Sequence, residues 1–96
     1  MATFIMYGKY SPEVLQQVST ARTQKAVETI KQNGGTVEAM YATLGVYDLV
    51  LVLHFSDSQQ ALKASVALSR QTGIGFTTSP AIPVDEFDRM MGAIAL

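Results

Sequence analysis

The run Asp48-Leu-Val-Leu-Val-Leu-His-Phe55 constrains the fold more than any other part of the sequence. Successive side chains of an extended strand point to opposite faces. Leu49, Leu51, Leu53 and Phe55 therefore share one face, and Asp48, Val50, Val52 and His54 the other. Both faces are largely apolar. A strand in an antiparallel sheet with one wet side alternates cleanly between apolar and polar residues. This strand instead calls for cover on both sides, whereas 96 residues support one core and one domain, spanning 1–96.

The rest of the chain reads as strands alternating with helices. Thr3 to Tyr10 is a first strand, rich in β-formers from Phe4 to Tyr7. Ser11-Pro12-Glu13 is a helix start: a capping hydroxyl, a proline in the first turn, an early acid. That helix is short if Ser19-Thr20 restarts it. From Arg22 to Asn33, the residues Ala26, Val27 and Ile30 form an apolar stripe at helical spacing, and Asn33-Gly34-Gly35 ends the helix. Thr36 to Leu44 is the second strand. A short turn, Gly45-Val46 or Gly45-Val46-Tyr47, makes it pair antiparallel with the strand Asp48–Phe55. Ser56 or Asp57 caps a further helix to about Gln71, with Gly73 as its stop. Its buried side draws on Ala61, Leu62, Val66, Ala67 and Leu68. Ile74 to about Ile82 is a fourth strand, placed at an edge because Pro80 and Pro83 cannot donate ladder hydrogen bonds. Asp85 caps a last short helix carrying Phe87, Met90, Met91 and Ile94.

The order β-α-β-β-α-β plus a C-terminal helix is the ferredoxin-like plan, an α+β fold with helices on one face of a four-stranded antiparallel sheet. The other face then needs a partner. Phe4 and Met6 alternate with Ile5 and Tyr7, so the first strand is apolar on both faces too. Exposed apolar surface of that kind marks an interface. The expectation is a homodimer packed sheet against sheet, a dimeric α/β barrel. The alternative is cover by the chain's own Met90–Leu96 segment.

Composition narrows the function. Net charge is −1, and Lys9, Arg22, Lys25, Lys31, Lys63, Arg70 and Arg89 form no run, which argues against nucleic acid. Cysteine is absent, which excludes disulfides, Cys-based metal sites and thiol catalysis. One histidine and dispersed acids give no metal-ligand spacing, and Gly73-Ile74-Gly75 lacks the context of a nucleotide fingerprint, so no cofactor is expected. No signal peptide is visible, and the apolar run Leu49–Leu53 is far too short to span a membrane. The expected location is the cytoplasm.

Gly34-Gly35-x-Val37, followed by Tyr41-x-Thr43-x-Gly45-x-Tyr47-Asp48-x-Val50, resembles the GYD-domain family. The resemblance extends over nearly the whole chain. It includes Ser11-Pro12-Glu13, Arg22, Asp57, Phe76-Thr77-Thr78 and Asp85-Glu86-Phe87. It implies a small cytoplasmic protein with a ferredoxin-like fold, among the dimeric α/β barrels, a group that includes small monooxygenases, cyclases and ligand-sensing domains. His54-Phe55 stands where the family often has an acid.

Seven residues are candidates for chemistry. His54 is the sole histidine, hence the candidate catalytic proton-transfer group. Glu38 faces it if the turn has three residues and slips away if it has two. Tyr41 and Thr43 can supply hydroxyls to a pocket between sheet and helices, and Tyr7 and Tyr10 likewise. Tyr47-Asp48 can hold a ligand, or can finish a turn in which Gly45 supplies positive φ. Three functions follow. The first is a homo-oligomer binding a small apolar or aromatic molecule or another protein. The second is a cofactor-free monooxygenase or cyclase using His54 with a tyrosine or an acid. The third is a structural assembly unit.

Overall fold

In a computed structural model, which describes residues 1–94, the chain forms β1 (Ala2–Lys9), α1 (Pro12–Leu15), α2 (Thr20–Gln32), β2 (Thr36–Ala42), β3 (Leu49–Phe55), α3 (Ser58–Thr72), β4 (Gly75–Ala81) and α4 (Val84–Gly92). The sheet order is β2-β3-β1-β4 with every neighbour antiparallel, so β4 is an edge strand. This is the ferredoxin-like α+β plan.

Local chemistry sets the boundaries. Ser11 Oγ accepts the Val14 N–H and Ser19 Oγ accepts the Arg22 N–H, so two serines start two helices where one long helix would otherwise run. Asp57 caps α3 by accepting the Gln60 N–H at 2.9 Å, and Gly73 ends that helix in the left-handed conformation. α4 departs from expectation: its N-cap is Pro83, with no side-chain cap bond, and Asp85 lies inside the first turn.

The core lies between the sheet and the helices α2 and α3. Phe4, Met6, Leu51, Leu53 and Phe55 come from the sheet, Ile30 from α2, and Ala61, Ala64 and Leu68 from α3. The buried stripe of α3 thus runs through Ala64, while Leu62 and Val66 are exposed, contrary to the sequence reading. Small side chains at 61 and 64 let that helix settle closely on the sheet, and the phenyl rings of Phe4 and Phe55 meet edge to face at 5.9 Å. Gly35 permits the same closeness, since a Cβ there would sit 2.5 Å from the Phe55 ring and 2.9 Å from Ile30 Cγ2. Gly35→Ala is expected to cost about 1–3 kcal/mol through overpacking, read as a lower urea midpoint.

The connection between β2 and β3 is longer than the short turn expected. It spans residues 43–48, and the positive φ belongs to Leu44 (50°), not Gly45. Near the loop the register pairs Ala42 with Leu49 and Tyr41 with Val50. A bulge between Val37 and Ala39 then shifts it by one residue. The bulge keeps both Val37 and Met40 against the core, which a regular strand cannot do. It also turns Glu38 to the outer face, where its Oε1 lies 2.9 Å from His54 Nε2, although the register partner of His54 is Thr36.

Ile5, Tyr7, Val50 and Val52 face away from the helices; among the described residues no helix covers them, and the Tyr47 ring of the β2–β3 connection packs on Tyr7. α4 has no buried residue, and Val84, Phe87, Met90 and Met91 are exposed along it. Thus α4 does not cover the outer sheet face. The chain extends 51 Å along its longest axis. Residues 95 and 96, the end of the apolar tail considered as cover, lie outside the described residues. Among the described residues no helix is long and apolar enough to cross a membrane.

Candidate functional site

The break between α1 and α2 leaves a hollow over one end of the sheet. Val14 of α1 and Ala26 of α2 form its helical walls, Met40, Ala42 and Leu49 line it from β2 and β3, and Tyr10 and Ile74 contribute from loops. Its volume is about 150 Å³. Ala26 and Ala42 are small, and residues 16–19 carry no helix above them, so the space stays unfilled. The lining is mainly apolar, with hydroxyls from Tyr10, Tyr41, Ser19 and Thr23 and one cation, Arg22.

Of the residues expected to offer hydroxyls or ligand contacts, Tyr41 and Tyr10 line this cavity. Thr43 donates its hydroxyl to the Tyr47 carbonyl at 2.7 Å, a bond that closes the loop. Tyr47 packs its ring on Tyr7 at 4.8 Å, on the outer sheet face. Asp48 is buried and takes the Tyr10 N–H at 2.9 Å, while its own N–H donates to the Gly8 carbonyl at 2.8 Å. Lys9 Nζ lies 3.3 Å from the carboxylate and donates to the Gly45 carbonyl. Asp48 therefore prolongs the β1–β3 pairing past its last ladder rung and fixes the backbone of Tyr10, a wall of the cavity. In that sense the Gly-x-Tyr-Asp hairpin shapes the cavity without lining it.

His54 sits on the opposite sheet face. Its Nδ1 is 3.2 Å from Thr3 Oγ1 and its Nε2 2.9 Å from Glu38 Oε1, with the imidazole half-exposed. Among the described residues no three His, Cys, Asp or Glu side chains cluster as metal ligands would.

Tyr10 and Arg22 carry the polar chemistry of the cavity; the sequence offered Tyr10 as a pocket hydroxyl, and Arg22 did not stand out as a site residue. Burial, with the negative charge of Asp48 adding to it, raises the Tyr10 phenol above its ordinary pKa of 10.0. The phenol is therefore a hydrogen-bond donor at neutral pH. Because the folded pKa exceeds the unfolded one, the unfolded chain releases this proton first as pH rises. Stability is then fully retained below about pH 10 and falls above it. Tyr10→Phe is expected to lessen that alkaline loss, measured as the difference in urea midpoint between about pH 9 and pH 11.

Comparisons with known proteins agree with this architecture. A family model described as GYD domain matches residues 4–91. No curated protein matches at a significant level. Among solved structures, the leucine response regulatory protein (LrpA) of Mycobacterium tuberculosis is similar, with a TM-score of 0.61 at 10% identity. The match covers 85% of this chain and 51% of that one, so the likeness is one of fold with part of a longer protein. The family match takes in both the hairpin that carries Gly45, Tyr47 and Asp48 and the strands and helices that wall the cavity, and the chain belongs to the GYD-domain family.

Proposed function

We propose that this chain is a cytoplasmic homo-oligomeric module that binds a small apolar or aromatic molecule. The observation that carries this reading is the cavity of about 150 Å³ under the α1–α2 break. A concave, mainly apolar hollow with a few convergent polar groups is the usual form of a ligand site. A volume of about 150 Å³ is enough for a molecule about the size of benzene.

A second copy of the chain is the proposed cover for the outer sheet face. Ile5, Tyr7, Val50 and Val52 make a patch that is its own complement under a two-fold axis, as a closed dimer requires. A net charge of −1 offers little repulsion between copies. The exposed apolar side of α4, through Phe87, Met90 and Met91, supplies further contact to the same partner.

The enzyme reading, a cofactor-free monooxygenase or cyclase with His54 as its proton-transfer group, needs an imidazole beside a ligand. His54 is on the other side of the sheet from the cavity and already engages Glu38 and Thr3, so no observation favours that reading.

Ala26→Leu tests the binding role. The added side chain is expected to fill the cavity and abolish ligand binding while assembly persists. The readout is the Met40 methyl resonance in protein carrying ¹³C-methyl methionine, titrated with toluene. A Met40 shift in the parent that is lost in the variant supports the module. No Met40 shift in the parent removes the binding role and leaves an assembly unit.

A further inference from the structure

A second, smaller hollow of about 90 Å³ adjoins the cavity and is lined by Arg22, Lys25, Gln71 and Thr72. It shares Arg22 and Thr72 with the main cavity, so the two are parts of one recess with different walls. The larger part is apolar, and the smaller one is basic. No Asp or Glu lines either part. Among the described residues neither Arg22 nor Lys25 forms an ion pair.

Arg22 is held in place by neutral acceptors. Its Nη1 donates to Gln17 Oε1 at 2.9 Å and its Nη2 to the Thr72 carbonyl at 2.8 Å. A guanidinium has five N–H donors, so the two bonds orient it and leave others for a ligand. Groups removed from water in a protein normally have their charge matched. Here a half-buried cation is oriented at the junction of the two hollows with its charge unmatched. The positive end of α2 adds to it: Ser19 and Thr23 line the recess, and the first turn of that helix carries no acid.

We propose that this recess selects a small carboxylate with an apolar body. The body lies against Val14, Met40, Leu49 and Ile74, and the carboxylate meets Arg22 with Lys25 close by. This rests on the ligand-binding reading above and adds the ligand's charge. The same walls discriminate against amines, since no acid in the recess can receive an ammonium group. A free α-amino acid is disfavoured for that reason, even where its side chain fits.

Isothermal titration calorimetry on the full chain at low salt, with phenylacetate, phenylacetamide and 2-phenylethylammonium as probes, tests this directly. All three share a ring of the size the cavity takes, and they differ in charge. Phenylacetate is expected to bind about tenfold or more tighter than the neutral amide, because a charge-assisted bond to a guanidinium is roughly twice as strong as a neutral one. The ammonium probe is expected to bind most weakly. Arg22→Gln and Lys25→Gln are each expected to shrink the ratio of phenylacetate to phenylacetamide affinity. Arg22 also ties α2 to the end of α3, whereas Lys25 is exposed. Should Arg22→Gln fail to fold, Lys25→Gln therefore gives the decisive result. Equal binding of phenylacetate and phenylacetamide overturns the carboxylate preference and leaves the binding module standing. A preference unchanged in the folded variants overturns it as well. Binding of none of the three overturns both.

Discussion

If the outer sheet face carries the proposed assembly, Val52→Asp is expected to give a monomer that keeps its fold. Val52 sits at the middle of the outer sheet face, opposite Ile5 on β1 and Ala39 on β2. Water reaches this position in the single chain, so an aspartate there is tolerated. In a dry sheet-to-sheet contact the same carboxylate is buried without a partner, which costs several kcal/mol. Each 1.4 kcal/mol is tenfold in affinity, so the dimer dissociation constant is expected to rise by about a hundredfold or more. Light scattering coupled to size exclusion gives the mass, and circular dichroism reports the fold. A Val52→Asp protein that elutes with the parent's mass would place the contact elsewhere.

Phe55→Ala, three residues along the same strand, is expected to act on the other side of the sheet. Phe55 is fully buried, lies edge-on to Phe4 and fills the space that Gly35 leaves open. Truncating a buried phenylalanine typically costs about 3–5 kcal/mol. Against a domain stability of about 5–15 kcal/mol, that is a large share. Urea denaturation is expected to show a much lower midpoint with little change in slope. The pair of variants separates the two faces of β3, since one is expected to act on the proposed assembly and the other on the chain itself.

The strands and helices were readable because their signals are local. Ser11, Ser19, Asp57 and Gly73 each act within a few residues, and the caps and stop fall at or beside the places those residues mark. The alternation in Leu49–Phe55 was enough to separate core from outer face. The bulge at Glu38 was not readable, because it answers a demand from packing. Val37 and Met40 must both reach the core, and only the opposing strand and helices impose that. α3 shows the same limit: Ala61, Ala64 and Leu68 form the face that packs on the sheet, which leaves Leu62 and Val66 on the exposed side, a choice only the packed sheet imposes.

The candidate site was less legible than the fold. Its walls come from α1, α2, the end of α3, two strands and three loops, so no single stretch announces it. Tyr47 and Asp48 draw attention because a signature surrounds them, yet Asp48 works through the Tyr10 backbone and Tyr47 lies on the outer face beside Tyr7. Arg22 reads as an ordinary helix-surface residue. Only the approach of Thr72, fifty residues away, makes it part of a recess.

Native mass spectrometry of the full chain, purified from its own host, tests the central claim most directly, because it reports assembly and cargo in one spectrum. The expected species has at least twice the 10.4 kDa chain mass and carries an added mass of a small molecule, released on gentle activation. A bare 10.4 kDa monomer at micromolar concentration would contradict the account.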